Sequence, residues 1–214
     1  MLESATEEVF VIRPISETCA AIGLILTAIA LLTGSHVRAA DDQGQFAIRG
    51  AGLINCALFS QARKNQEKAY LVTAAWVDGY ITGVNQHATD AYDISPFEST
   101  ELLMAIVDEH CQNHPKDPVF GVLLNLFKQL WPDRLLQKSE KVTITTPGRE
   151  TQHYVEIIER IQRKLQAGGY YKGPISGKFS SETVEALKGF QRSVDFNPTG
   201  FPDQATLWRL LRSQ

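Results

Sequence analysis

Between Glu67 and His87 the apolar side chains fall at Tyr70, Ala74, Val77, Ile81 and Val84. Alternating steps of four and three place them on one face of a helix. Three more helices are predicted around it. A shorter one runs from about Ala51 to Arg63. Another carries Leu102, Leu103, Ile106, Val107 and Cys111, with Ser95-Pro96-Phe97-Glu98 read as its capped start. A third begins at Asp117-Pro118, turns Val119, Val122, Leu123, Leu126, Phe127 and Leu130 inward, and closes at Trp131-Pro132. Gly79 and Gly83 interrupt the long helix one turn apart. Each costs ~1 kcal/mol there relative to Ala, so close approach of another backbone is the expected compensation.

The last third repeats the helical pattern in smaller pieces. Val155, Ile158, Ile161 and Leu165 share a face, and Gly168-Gly169 stops that helix. Gly173-Pro174 and Gly177 impose turns on the loop that follows, punctuated by Tyr170, Ile175 and Phe179. Ser180 caps a second helix with Thr183, Ala186, Leu187 and Phe190 inward, and Asp203 caps a short third burying Leu207 and Leu210. This is a three-helix bundle of roughly sixty residues, near the lower limit for a self-sufficient core. Leu136 to His153 is polar and Thr-rich around Pro147-Gly148 and reads as an exposed linker. Within it Val142-Thr143-Ile144-Thr145 alternates as one extended strand with no evident partner. The expected fold class is therefore all-α. Its expected parts are a signal or anchor over 1–40, a helical disulfide domain over 41–138, the linker over 139–152 and the bundle over 153–214.

Several positions of the bundle fall into a known order: Ile161-Gln162-x-x-Leu165, Gly169-Tyr170-Tyr171-x-Gly173, Ile175-x-Gly177-x-Phe179, Thr183-x-x-Ala186-Leu187-x-x-Phe190-Gln191 and Thr199-Gly200-x-x-Asp203. The segment resembles the peptidoglycan-binding domain found at the ends of many bacterial cell-wall proteins. The resemblance implies peptidoglycan as partner. It departs from the family pattern at loop corners: Ser176 stands for the usual Asp, Ser180 for Gly, and Asp195-Phe196 for Gly-Leu. Recognition is expected of Tyr171, Lys172, Lys178 and Arg192, since Tyr rings stack on sugars and cations meet carboxylates. From Thr151 to Gln214 there are 9 Lys/Arg against 6 Asp/Glu, a net +3 that suits an anionic polymer.

The apolar run from Cys19 to Gly34 is short for a membrane span, which needs ~20 residues. It fits a secretory signal with small residues before Asp41, although Glu3, Glu7, Glu8 and Glu17 outnumber Arg13 ahead of it. Export to the periplasm is expected, with membrane attachment only if the run is not cleaved. Cys56 and Cys111 then remain as a disulfide pair. The rival is a metal site around Cys111 with Glu109, His110 and His114. Asn113-His114-Pro115 should end that helix, so neither a metal nor a cofactor is expected.

Trp76-x-x-Gly79-Tyr80-x-x-Gly83-x-Asn85 followed by Cys111-x-x-His114-Pro115 carries a second, weaker resemblance. It is similar to small disulfide-linked periplasmic domains, among them acid-stress chaperones and type VI immunity proteins. That implies a non-catalytic domain that binds a periplasmic protein. Residues 41–140 hold 13 Asp/Glu against 8 Lys/Arg, net −5, opposite in sign to the bundle. The competing reading is a peptidoglycan hydrolase with an unfamiliar active site built from Glu101, Glu109, Asp108 or the histidines His87, His110 and His114. A net charge of −3 over the chain gives no support for nucleic-acid binding.

Overall fold

The computed structural model describes residues 40–41, 43–146 and 148–212. The chain divides into two units, Met1–Phe46 and Ala47–Gln214. The expected signal or anchor, with its apolar run and Cys19, lies outside the described residues. In the described part of the first unit, the Asp41 carboxylate accepts hydrogen bonds from the amides of Gln43 and Gln45 at 3.0 and 2.7 Å. No helix among the described residues is long and apolar enough to cross a membrane.

The second unit begins with a 3₁₀ turn, Gly50–Leu53, and four helices: α1 Cys56–Lys64, α2 Lys68–His87, α3 Thr100–Asn113 and α4 Val119–Leu130. Asn55 caps α1 by accepting from the Leu58 amide, so the helix starts later than the apolar pattern suggests. α3 likewise starts at Thr100 rather than at Ser95. Its cap is Ser99, which accepts from Leu102 N at 3.2 Å. The Ser95–Glu98 stretch instead bends inward and buries Phe97 and Glu98. Phe59, Val77, Leu103, Met104, Val107 and Leu123 form the centre of this core, each essentially without exposed surface. The expected bridge joins Cys56 of α1 to Cys111 of α3, with Cα atoms 4.7 Å apart.

The helix glycines do not behave as expected. Among the described residues a Cβ added at Gly79 or Gly83 would meet nothing within 4 Å, so no second described backbone segment approaches either residue. The close approach is at Gly52, where a Cβ would lie 2.5 Å from the Trp76 ring. Trp76 in turn stacks on Tyr80 at 5.4 Å, and Phe120 meets both rings edge-on. Trp76 and Tyr80 are thus packed, while the glycines beside them on the helix have open space where a Cβ would lie.

The stretch read as an exposed linker folds as a hairpin. β1 Lys141–Thr146 pairs antiparallel with β2 Arg149–Tyr154, in a register that opposes Lys141 to Tyr154 and Thr146 to Arg149. The partner strand for Val142–Thr145 is therefore the polar segment directly after the turn, where Gly148 adopts φ 76°. Ile144, His153 and Tyr154 are buried, and this two-stranded sheet corrects the all-α expectation to a mostly helical fold. Pairing satisfies backbone groups that would otherwise need water along a half-buried segment.

Three helices follow: α5 Val155–Ala167, α6 Ser181–Ser193 and α7 Gln204–Arg212. Two fully buried glutamines organise them. Gln162 accepts from the amides of Ser176 and Gly177 at 2.9 and 3.1 Å, and donates to Lys178 O and Thr183 Oγ1. Gln191 accepts from Gly200 N at 2.8 Å and donates to Phe201 O and Thr206 Oγ1. The two sets are spaced alike. Val155 and Val184 each stand seven residues before the glutamine, and each lies against a positive-φ glycine, Gly177 or Gly200. Three residues after the glycine comes the next helix cap, Ser180 or Asp203, and three further on the bonded threonine. The bundle is a helix–loop unit used twice, a repeat that apolar periodicity does not reveal.

Candidate functional site

The bundle is not left hanging from the hairpin. Its core takes in Phe97 and Leu135 from the preceding helical segment, while Trp208 of α7 packs on the other core. Gln204 binds Phe97 O and the Ser99 amide at 2.8 and 2.7 Å, and Tyr154 OH reaches Asp93 at 3.1 Å. Hairpin and bundle are consequently held in fixed relation, and a groove between them has defined walls.

β1 forms one wall of a groove of about 670 Å³, and the Ser176–Phe179 loop forms the other. Every residue of 142–146 lines it, so it runs along the strand. β1 has a partner on one side only, so its outer edge retains backbone donors and acceptors. Exposed Thr143 and Thr145 supply hydroxyls, and Lys178 supplies a cation beside the half-buried Phe179 ring. The loop cannot drift, because Gln162 holds the backbone at Ser176, Gly177 and Lys178. Val142, Val155 and Val184 line it as well, so apolar side chains stand beside the hydroxyls, backbone groups and cation. That mixture suits a ligand presenting apolar faces together with hydroxyls, amides and carboxylates.

Only one of the four expected recognition residues lines this groove. Lys178 does; Lys172 and Arg192 are exposed elsewhere on the bundle. Tyr171 is not available at all. It is 3% exposed, sits in the bundle core, and its hydroxyl donates to Pro174 O at 2.9 Å. The turn at Gly169 (φ 78°) decides which of the two adjacent tyrosines turns inward. Tyr170 is the one left 38% exposed, its ring edge-on to Phe190 and its hydroxyl donating to Ser193 at 2.7 Å. The three departures from the family pattern are accommodated. Ser180 caps α6, Ser176 donates its amide to Gln162, and Asp195 takes φ 58°, a conformation Asp tolerates better than most residues.

A second recess, of about 370 Å³, lies at the far end of the hairpin, lined by Arg149, Asp195, Asn197, Thr199 and Asp203 among others. The Arg149 guanidinium lies 5.6 Å from the Phe201 ring centroid. Beneath the hairpin, burial pushes His153 below its ordinary value of 6.5, partly opposed by a backbone hydrogen bond at Pro202. This histidine is neutral packing material.

The candidate acids of the hydrolase reading occupy other surroundings. Tyr70 and Arg63 both donate to Glu101 and hold its carboxyl below the usual range, the reverse of the raised value a general acid needs. Asp108 accepts from Ser60, Arg63 and Gln112. Glu109 and His87 are exposed.

Residues 155–210 match the family model described as "Putative peptidoglycan binding domain". No curated protein and no solved structure matches the chain. The matched stretch starts at the first residue of α5 and ends within α7, so it contains both glutamine-centred units. The hairpin lies before it. One wall of the groove therefore lies within the matched residues and the other lies before them. A peptidoglycan-binding unit and a disulfide are consistent with a place in the cell envelope.

Proposed function

We propose that this is an exported, non-catalytic envelope protein that holds peptidoglycan in the groove between β1 and the Ser176–Phe179 loop. The match over 155–210 carries the reading. The helical segment before the hairpin presents a surface to a periplasmic protein partner, and wall affinity raises its local concentration near that partner. Support for export comes from the apolar run over 19–34 and from the Cys56–Cys111 bridge, which oxidising compartments favour. Support for a non-catalytic role comes from Glu101, whose two donors keep it ionised.

The test is co-sedimentation of the intact protein with purified sacculi, alongside turbidity of the same suspension. Retention in the pellet with constant turbidity is expected. Progressive clearing that Glu109→Gln abolishes would establish a hydrolase instead. Because the bundle shares core residues with the preceding helices, the intact chain with point substitutions is the proper reagent, not a truncation.

A further inference from the structure

α3 ends where two histidines and an aspartate converge. His110 and His114 stand four residues apart on its last turn and cap, with rings stacked at 4.5 Å. Asp117, three residues beyond, brings its Oδ2 to 2.8 Å from His110 Nε2. One ligand atom from each of the three residues lies within 4.8 Å of the others. We propose that His110, His114 and Asp117 form a binding site for a divalent transition-metal ion of zinc's class.

Four features support this. The donor set, two imidazoles and one carboxylate, is the borderline N/O chemistry that Zn²⁺ takes, and three protein donors leave a coordination position for water. In a tetrahedral site with legs of ~2.0–2.1 Å the donor atoms sit roughly 3.4 Å apart. Present separations need only modest side-chain rotation to reach that, and His114 is exposed and free to make it. The direct His110–Asp117 hydrogen bond would give way to the ion between them.

The backbone beneath is already fixed. Cys111, next to His110, is tied to α1 by the disulfide. Asp117 O accepts from Cys56 N and Pro115 O from Ala57 N, both at 2.9 Å, and Asp117 N donates to His114 O at 3.1 Å. The 114–117 turn is thus pinned to the start of α1, so little ordering remains to be supplied on binding. The site also lies at the C-terminal end of α3, where the helix dipole favours a cation.

The site is independent of the peptidoglycan groove, and its test is separate. Tag-free protein with an intact disulfide is titrated with ZnCl₂ by calorimetry, with His114→Ala and His110→Ala in parallel and thermal melts confirming that each variant folds. One equivalent per chain is expected in the unaltered protein, with affinity falling more than about tenfold on loss of either histidine. His114→Ala is the cleaner variant, because His110 is hydrogen-bonded to Asp117 whereas the His114 side chain makes no hydrogen bond among the described residues. Absence of saturable binding by the unaltered protein, or binding by both folded variants as tight as that of the unaltered protein, would overturn the proposal.

Discussion

Arg212, the last described residue of α7, forms an ion pair at 2.5 Å with Glu98, whose side chain has no exposed surface. Arg212 also bonds Asp133 and lies over the Phe97 ring. One guanidinium therefore fastens the end of α7 to two points of the helical segment. Removing Arg212 strands the Glu98 carboxylate out of water, and removing Glu98 leaves the largely buried guanidinium with Asp133 as its remaining ion-pair partner. Glu98→Ala and Arg212→Ala are each expected to cost about 3–5 kcal/mol in denaturant unfolding, and the double substitution less than their sum. Additive losses would show that the pair is not coupled.

The glycines separate two kinds of position. Gly79 and Gly83 lie in a helix with open space around them, so replacing either by Ala is expected to stabilise the protein by ~0.5–1 kcal/mol. Gly177 has φ 67°, and its Cβ would fall 2.4 Å from Val155. Gly177→Ala is expected to destabilise by more than about 1 kcal/mol. Melting temperatures moving in opposite directions check both at once.

Acid sensitivity should trace to His153. Its folded value lies below 6.5, so the unfolded chain takes up the proton first as pH falls. The stability it supports is complete above 6.5 and drains away as the pH drops from there towards the folded value. Glu101, held low by Tyr70 and Arg63, adds a further loss at more acidic pH, below the ordinary carboxylate value. Unfolding free energies measured between about pH 7 and 5 are expected to decline for the unaltered protein and to decline less for His153→Gln.

Apolar periodicity was enough to find the seven α-helices among the described residues, although α1 and α3 start later than it suggested, because each buries a stripe such as Leu103, Val107 and Cys111. It was not enough for the hairpin. β2, Arg149–Tyr154, reads RETQHY, and only its last two side chains are buried, so no alternating pattern marks it. Tyr171 and Tyr170 are adjacent, and a single positive-φ glycine before them settles which faces the core; composition cannot. Gln162 and Gln191 look like surface residues until the loop amides they hold are seen. Asp117 escaped notice beside His110 and His114 because it lies past the end of their helix, where helical spacing no longer applies.

Sedimentation of the intact protein with purified sacculi, as a function of sacculus concentration, bears most directly on the groove. Lys178→Glu places a carboxylate on an exposed loop position that the fold does not need. Loss of one favourable charge contact and its replacement by repulsion should weaken retention by roughly tenfold, while Lys172→Glu, outside the groove, changes it little. Retention unchanged in Lys178→Glu, or no retention of the unaltered protein, would contradict the account.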